Sequence, residues 1–347
     1  MRKGLIPFTV AALAAGAVQV NGQVYPERIR AVARASVEVA KVERYQRRDR
    51  EEQTEHFTKT VRIGANGQID ISNIAGDITI TRGGGSDATI EVVKTSRGRS
   101  VEDARSMLPL VRVDINERGG RVEVRTHYPD DDERRINNRR NINVSVAYTI
   151  RVPGETGVRA ESISGNINVR DLRGELTLSS ISGNIGIANG GRITQAKSIS
   201  GNVEISSTEI DSASNISSVS GNVTVRSLKA RRLDLASVSG NIIVDDVTCD
   251  RVQAQTTSGN VDFRGTLVRG GRYDLQSHSG EVHVGVMGDT GFELDASSFS
   301  GQVRSDLPIA IQGGRGRERR VQRGTYGDGS AVLHLTTFSG NIAITKR

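Results

Sequence analysis

The sequence predicts an all-β protein, a single-stranded right-handed parallel β-solenoid (β-helix) of about ten coils of 18–21 residues. Three observations predict it. First, "SISGNINV" at 162–169 returns as "SISGNIGI" at 180, "SISGNVEI" at 198 and "SVSGNVTV" at 218. The glycine of Ser-Gly recurs at 165, 183, 201, 221, 240, 259, 280, 301 and 340, a period that belongs to stacked units rather than independent domains. Second, apolar residues alternate with polar ones on both sides of each copy, which is the pattern of strands with one buried face. Third, a unit of about 19 residues at roughly 3.3 Å each closes a perimeter near 60 Å, a narrow core without room for helices. A propeller blade needs about four strands per repeat, more than such a unit supplies.

The positions within a unit have separate tasks. Leu176 and Leu178, Leu233 and Leu235, Val252 and Ala254, and Leu333 and Leu335 precede the Ser-Gly pair as inward residues. Ile167 and Val169, Val203 and Ile205, Ile242 and Val244, and Ile342 and Ile344 follow it. A further apolar residue comes later in the unit, as in Leu172, Leu228 and Val247, so three inward patches imply three sides. Ser164, Ser182, Ser200, Ser220, Ser239 and Ser258, continued by Ser279, Ser300 and Ser339, form one column. Asn166, Asn184, Asn202, Asn222, Asn241 and Asn260 form a second, in which stacked amides can pass hydrogen bonds from coil to coil. The glycine between them is expected to supply a positive φ at a tight corner. Whether the serines face inward stays open. The gap of 39 residues before Gly340 is expected to hold one coil plus a basic excursion.

The remaining chain reads in order. Arg2 and Lys3, the apolar run "GLIPFTVAALAAGAV" and the small residues after it predict a signal peptide over 1–22, with an uncleaved anchor as the alternative. Residues 23–56 read as a charged linker or marginal helix, with Ile29, Val32 and Val37 as a weak stripe. The solenoid spans 57–347, divided into an N-terminal coil with an insertion at 57–160 and regular repeats at 161–347. Ile69, Ile71, Asn73, Gly76, Ile78 and Ile80 are a worn copy of the unit. "SVED" at 100–103 starts a short helix as a capping box, and "VRVDINERGGRVEVRTHY" predicts a hairpin about Gly119-Gly120. After the charged loop "PDDDERRINNRR" a long strand ends at Pro153-Gly154.

Composition narrows the function. The net charge of +7 becomes +5 when Arg2 and Lys3 leave with the signal. In an exported chain this balance favours anionic envelope polymers or lipid head groups, and 3% aromatic residues give no stacking platform for nucleic acid. Cys249 has no partner in the chain and reads as a small buried hydrophobe.

At "SISGNINV" and its copies, with the worn N-terminal unit and the export signal, the chain resembles the bacterial putative-adhesin family, a domain of unknown function, and is similar to autotransporter adhesin head domains. The likeness covers about 57–347. It implies a β-solenoid on the cell envelope, and it brings no catalytic residues.

Several clusters carry competing chemistry. His278, Glu281 and His283 in "HSGEVH" are the best metal-ligand set, but the two histidines differ in strand parity, and no metal or cofactor is assigned. Asp245, Asp246 and Asp250 would be the acids of a solenoid carbohydrate-active enzyme, a polysaccharide lyase or hydrolase. "RGGGS" and "QGGRGR" lack the context of a phosphate loop. Arg315, Arg317, Arg319, Arg320 and Arg323 form the densest basic patch and the candidate anion-binding site. The leading expectation is an exported non-enzymatic envelope protein, in the periplasm, at the cell surface or outside, that binds envelope polymer, carbohydrate or a surface protein. The enzyme and a scaffold or signalling partner of a membrane protein are the alternatives.

Overall fold

The structure, a computed structural model, describes residues 51–130, 142–311 and 320–347. The signal peptide, the linker up to residue 50, the charged loop at 131–141 and Arg315, Arg317 and Arg319 lie outside the described residues. The fold is all-β and mostly parallel, with one short helix, Val101–Met107, near its N-terminal end. The first described strand, Glu51–Arg62, takes in the last six residues of the segment read as linker.

Parallel pairing follows the repeat. Glu175–Ser180 lies between Gly157–Ser164 and Arg192–Ser198, with Leu178 beside Ala160 and Ala196. Ile185–Ala188 lies between Ile167–Arg170 and Val203–Ser218, with Ile187 beside Val169 and Ile205. From residue 203 the strands lengthen and pair along whole repeats, through Val223–Ser237, Ile242–Ser258 and Val261–Ser279. The inward residues named from the alternation are all buried, including Leu172, Leu228 and Val247. Each like side chain therefore packs on its own copy one repeat away, and burial stabilises the fold by about 25 cal/mol per Å² of apolar surface taken out of water.

Both ends depart from chain order. The last repeat does not lie at the end of the stack. Instead Ala331–Ser339 is inserted between Val261–Ser279 and Phe292–Ser298, parallel to both. Ile342–Lys346 likewise sits between Val282–Met287 and Val303–Ser305. At the N-terminal end, Gln68–Ala75 lies between Gly157–Ser164 and the later strand Arg121–His127. Antiparallel strands close these ends: Val321–Tyr326 on Phe292–Ser298, Arg112–Arg118 on Arg121–His127, and Asp87–Gly98 on Val144–Val152. They occupy backbone donors and acceptors that would otherwise be free for another chain.

The expected helix and hairpin are present. Ser100 caps the helix, its Oγ accepting from Asp103 N–H at 3.1 Å, and Ala104 and Met107 are buried. Among the described residues no helix is long and apolar enough to cross a membrane.

Candidate functional site

The Ser-Gly-Asn turn is built from three ladders. The innermost is the column, legible in the sequence, in which every residue is Ser or Thr. The Ser or Thr two residues before the Ser-Gly serine points inward and donates to the glycine carbonyl of the neighbouring repeat. Ser198 reaches Gly183 O at 2.9 Å, Ser218 reaches Gly201 O at 2.8 Å, and Ser277 reaches Gly259 O at 2.8 Å. Thr256 and Thr337 do the same through Gly240 O and Gly280 O. The buried hydroxyl thus satisfies a carbonyl that would be costly to leave unpaired. Ser162 is the exception: Gly76 O already accepts from Asn73 Nδ2 at 2.9 Å, and the Ser162 hydroxyl has no partner.

The glycines need space, which corrects the expected positive φ. None of the nine Ser-Gly glycines is left-handed; only the worn copy, Gly76, has a φ of +111°. A Cβ on Gly183 would lie 1.9 Å from Gly165 O, on Gly221 2.2 Å from Gly201 O, and on Gly340 2.0 Å from Gly280 O. The backbones approach too closely for any side chain.

From Asn166 to Asn260 the side-chain amides bond to backbone rather than to one another. Each Oδ1 accepts the backbone N–H of the equivalent residue one repeat on: Asn166 from Asn184 at 3.0 Å, Asn184 from Asn202 at 2.8 Å, and Asn202 from Asn222 at 2.9 Å. Asn222, Asn241 and Asn260 continue it to Asn241, Asn260 and Glu281, each at 2.9 Å. The left-handed residues lie elsewhere, at Asp171, Asn189, Ser207, Ser227 and Asp246, with φ between 49° and 60°. All are Asp, Asn or Ser and each lies seven residues after the serine of its Ser-Gly pair, a column whose short polar side chains suit that conformation.

The serine question is resolved outward. Ser164, Ser182, Ser200, Ser220, Ser239 and Ser258 are exposed, as are Ser279, Ser300 and Ser339. So is the residue before each. Ile163, Ile181, Ile199, Val219 and Val238 continue through Thr257 and His278 to Phe338 and Phe299. The rings stack, His278 on Phe338 at 4.9 Å and Phe338 on Phe299 at 4.6 Å between centroids. Of eleven exposed large hydrophobic side chains among the described residues, seven lie on this one line.

The other clusters resolve separately. His283 stands between Asp262 at 3.0 Å and Glu281 at 3.1 Å, whereas His278 belongs to the ring stack. Among the described residues no group of three or more His, Cys, Asp or Glu is placed to hold a metal. Asp246 is a left-handed turn residue whose carboxylate accepts from Ser227 Oγ at 3.1 Å. Asp245 pairs in register with Arg226 and Arg264, and Asp250 is exposed. Of the two described residues of the arginine patch, Arg323 pairs with Asp295 at 3.0 Å and Arg320 is exposed. Cys249 is buried, and burial pushes its thiol up to about 11.

These features define a mostly parallel, all-β repeat protein with an exposed line of apolar side chains beside a line of hydroxyls. The chain belongs to the family described as Toastrack DUF4097, whose model matches residues 66–345. It is similar to a solved putative adhesin from Bacteroides fragilis at 14% identity, covering 84% of this chain and 97% of that one, with a TM-score of 0.42. A putative adhesin from Parabacteroides distasonis gives 11% identity, 84% and 97% coverage and a TM-score of 0.43. A putative cell adhesion protein from Clostridium sporogenes gives 10% identity, 85% and 100% coverage and a TM-score of 0.23. No curated protein matches the chain.

Proposed function

We propose that the chain is an exported, non-enzymatic cell-envelope protein, a right-handed parallel β-solenoid that works as an adhesin by docking a surface partner along its Ser-Gly-Asn edge. The register between like strands one repeat apart and the glycine-to-glycine contacts support the winding. One observation carries the function: the Ile163-to-Phe299 line is apolar where folding does not require it, since Thr257 and His278 fill the same position. A contiguous exposed apolar strip of this kind marks an interaction surface. The nine serines beside it are exposed along their whole length, hydroxyls suited to a polar rim.

The test is binding of the purified chain to isolated envelope fractions, compared with the variant Ile181→Ser/Ile199→Ser/Val219→Ser. Saturable capture weakened by the substitutions is expected. Capture that ignores them, or none, removes the adhesive reading. N-terminal sequencing of the exported chain is expected to show cleavage near residue 22, and retention in the cytoplasm would end the proposal of export.

A further inference from the structure

Resting on the Ser-Gly-Asn edge as the docking edge, we propose that its partner is a second copy of this chain, the two molecules packing ridge against ridge along the Ile163-to-Phe299 line. The line is 37–64% exposed at its seven large hydrophobic residues. Together they leave on the order of 600 Å² of apolar surface open, against roughly 800 Å² per partner in an interface of standard size. The ridge with its serine rim is therefore of the right extent for a protein partner, and its shape says which one. A line of side chains stepping by about 4.8 Å per repeat is matched in period by another copy of itself. The knobs of one ridge can seat between those of the other over its length, and a two-fold axis closes the pair without leading to a filament.

Charge favours the same occupant. In a two-fold pair identical groups come near one another, so charged flanks would repel. One flank is serine throughout. The other is formed by Ser179, Ser217, Ala236, Gln255 and Gln276 and their equivalents, with Glu161 and Lys197 only toward the Ile163 end. Self-docking thus meets little like-charge opposition, and these flanks give an anionic head group or polymer scarcely any cation to pair with. Val238 is the fifth of nine positions on the line. With full overlap it lies next to its own copy when the two ridges run antiparallel, the arrangement that lets the knobs interlock.

Sedimentation and light scattering of the purified chain are expected to show a dimer. Ile181→Ser/Ile199→Ser/Val219→Ser should raise its dissociation constant by at least roughly tenfold, as loss of apolar anchors does. Circular dichroism checks that the variant, altered only at exposed positions, keeps its fold. Val238→Cys should oxidise to a covalent dimer, with the buried Cys249 silent in the parent chain. A monomer at about 100 µM, where even weak specific pairs associate, overturns the inference, as does a dimer unmoved by the substitutions and not linked through Val238→Cys. A monomer that envelope fractions still capture through the ridge leaves the adhesive reading standing with a different partner. A monomer that they do not capture ends both.

Discussion

At the scale of single residues, the repeat is a set of steric and hydrogen-bonding demands that differ between adjacent positions. Gly221 tolerates no Cβ, because the nearest atom would be a backbone oxygen at 2.2 Å rather than a side chain able to move. Gly221→Ala is therefore expected to cost more than about 2 kcal/mol in denaturant unfolding, the range of overpacked core sites. Gly84→Ala, where no atom lies within 4 Å, should be nearly neutral. The opposite sign is expected at Ser207, a left-handed residue with a φ of 52°. Ser207→Gly relieves a strain of roughly 1 kcal/mol and should raise the midpoint, less the entropy that glycine adds to the unfolded chain. Equal effects at Gly221 and Gly84 would refute the close-approach account. Burial also sets an alkaline limit. Cys249 is pushed up to about 11, and Tyr128, Tyr148 and Tyr273 up to about 12. Above about pH 9 the unfolded chain gives up these protons first, so stability is full below that pH and falls as pH climbs toward 12. Denaturant midpoints that stay flat from pH 8 to 11 would contradict this.

At the scale of elements, the strands were legible because alternation and burial are one property. Leu176 and Leu178 before the turn, and Ile167 and Val169 after it, sit where period-two patterning puts them. The role of the glycine was not legible, since lack of space and positive φ select the same residue. Ser162 and Ser164 are identical letters, yet the turn between them and the next strand sets the first inward and the second out. The position of the last repeat was illegible for a related reason. Ala331–Ser339 and Ile342–Lys346 carry the same pattern as every other copy, so nothing in their residues distinguishes the end of the stack from its interior. Their insertion has a consequence that chain order alone would not give. Truncation after Gly329 removes an internal layer and leaves unpaired backbone edges on two layers at once, Val261–Ser279 and Phe292–Ser298. Limited proteolysis of that truncation should produce new cuts both within 261–287 and within 292–305. Cuts confined to 292–311 would indicate that the C-terminal segment lies at the end.

At the scale of the whole repeat array, each layer touches only its neighbours, so energetic coupling should fall away within a step or two along the stack. The asparagine ladder tests this, because it runs unbroken from Asn166 to Glu281 through bonds of one kind. Asn222→Ala removes the acceptor for the exposed Asn241 N–H and should cost roughly 0.5–1.5 kcal/mol, the net worth of one such hydrogen bond. It also loosens the backbone that aims Asn241 Oδ1 at Asn260 N–H, so part of what Asn241→Ala would remove is already lost. The pair Asn222→Ala and Asn241→Ala is therefore expected to be less than additive, with a coupling of at least ~0.5 kcal/mol. Asn184→Ala and Asn260→Ala stand four layers apart and share no partner, so their costs should add within about 0.5 kcal/mol. Equal coupling for the near and the distant pair would mean that the array responds as one rigid body, and that the ladder bonds do not act layer by layer.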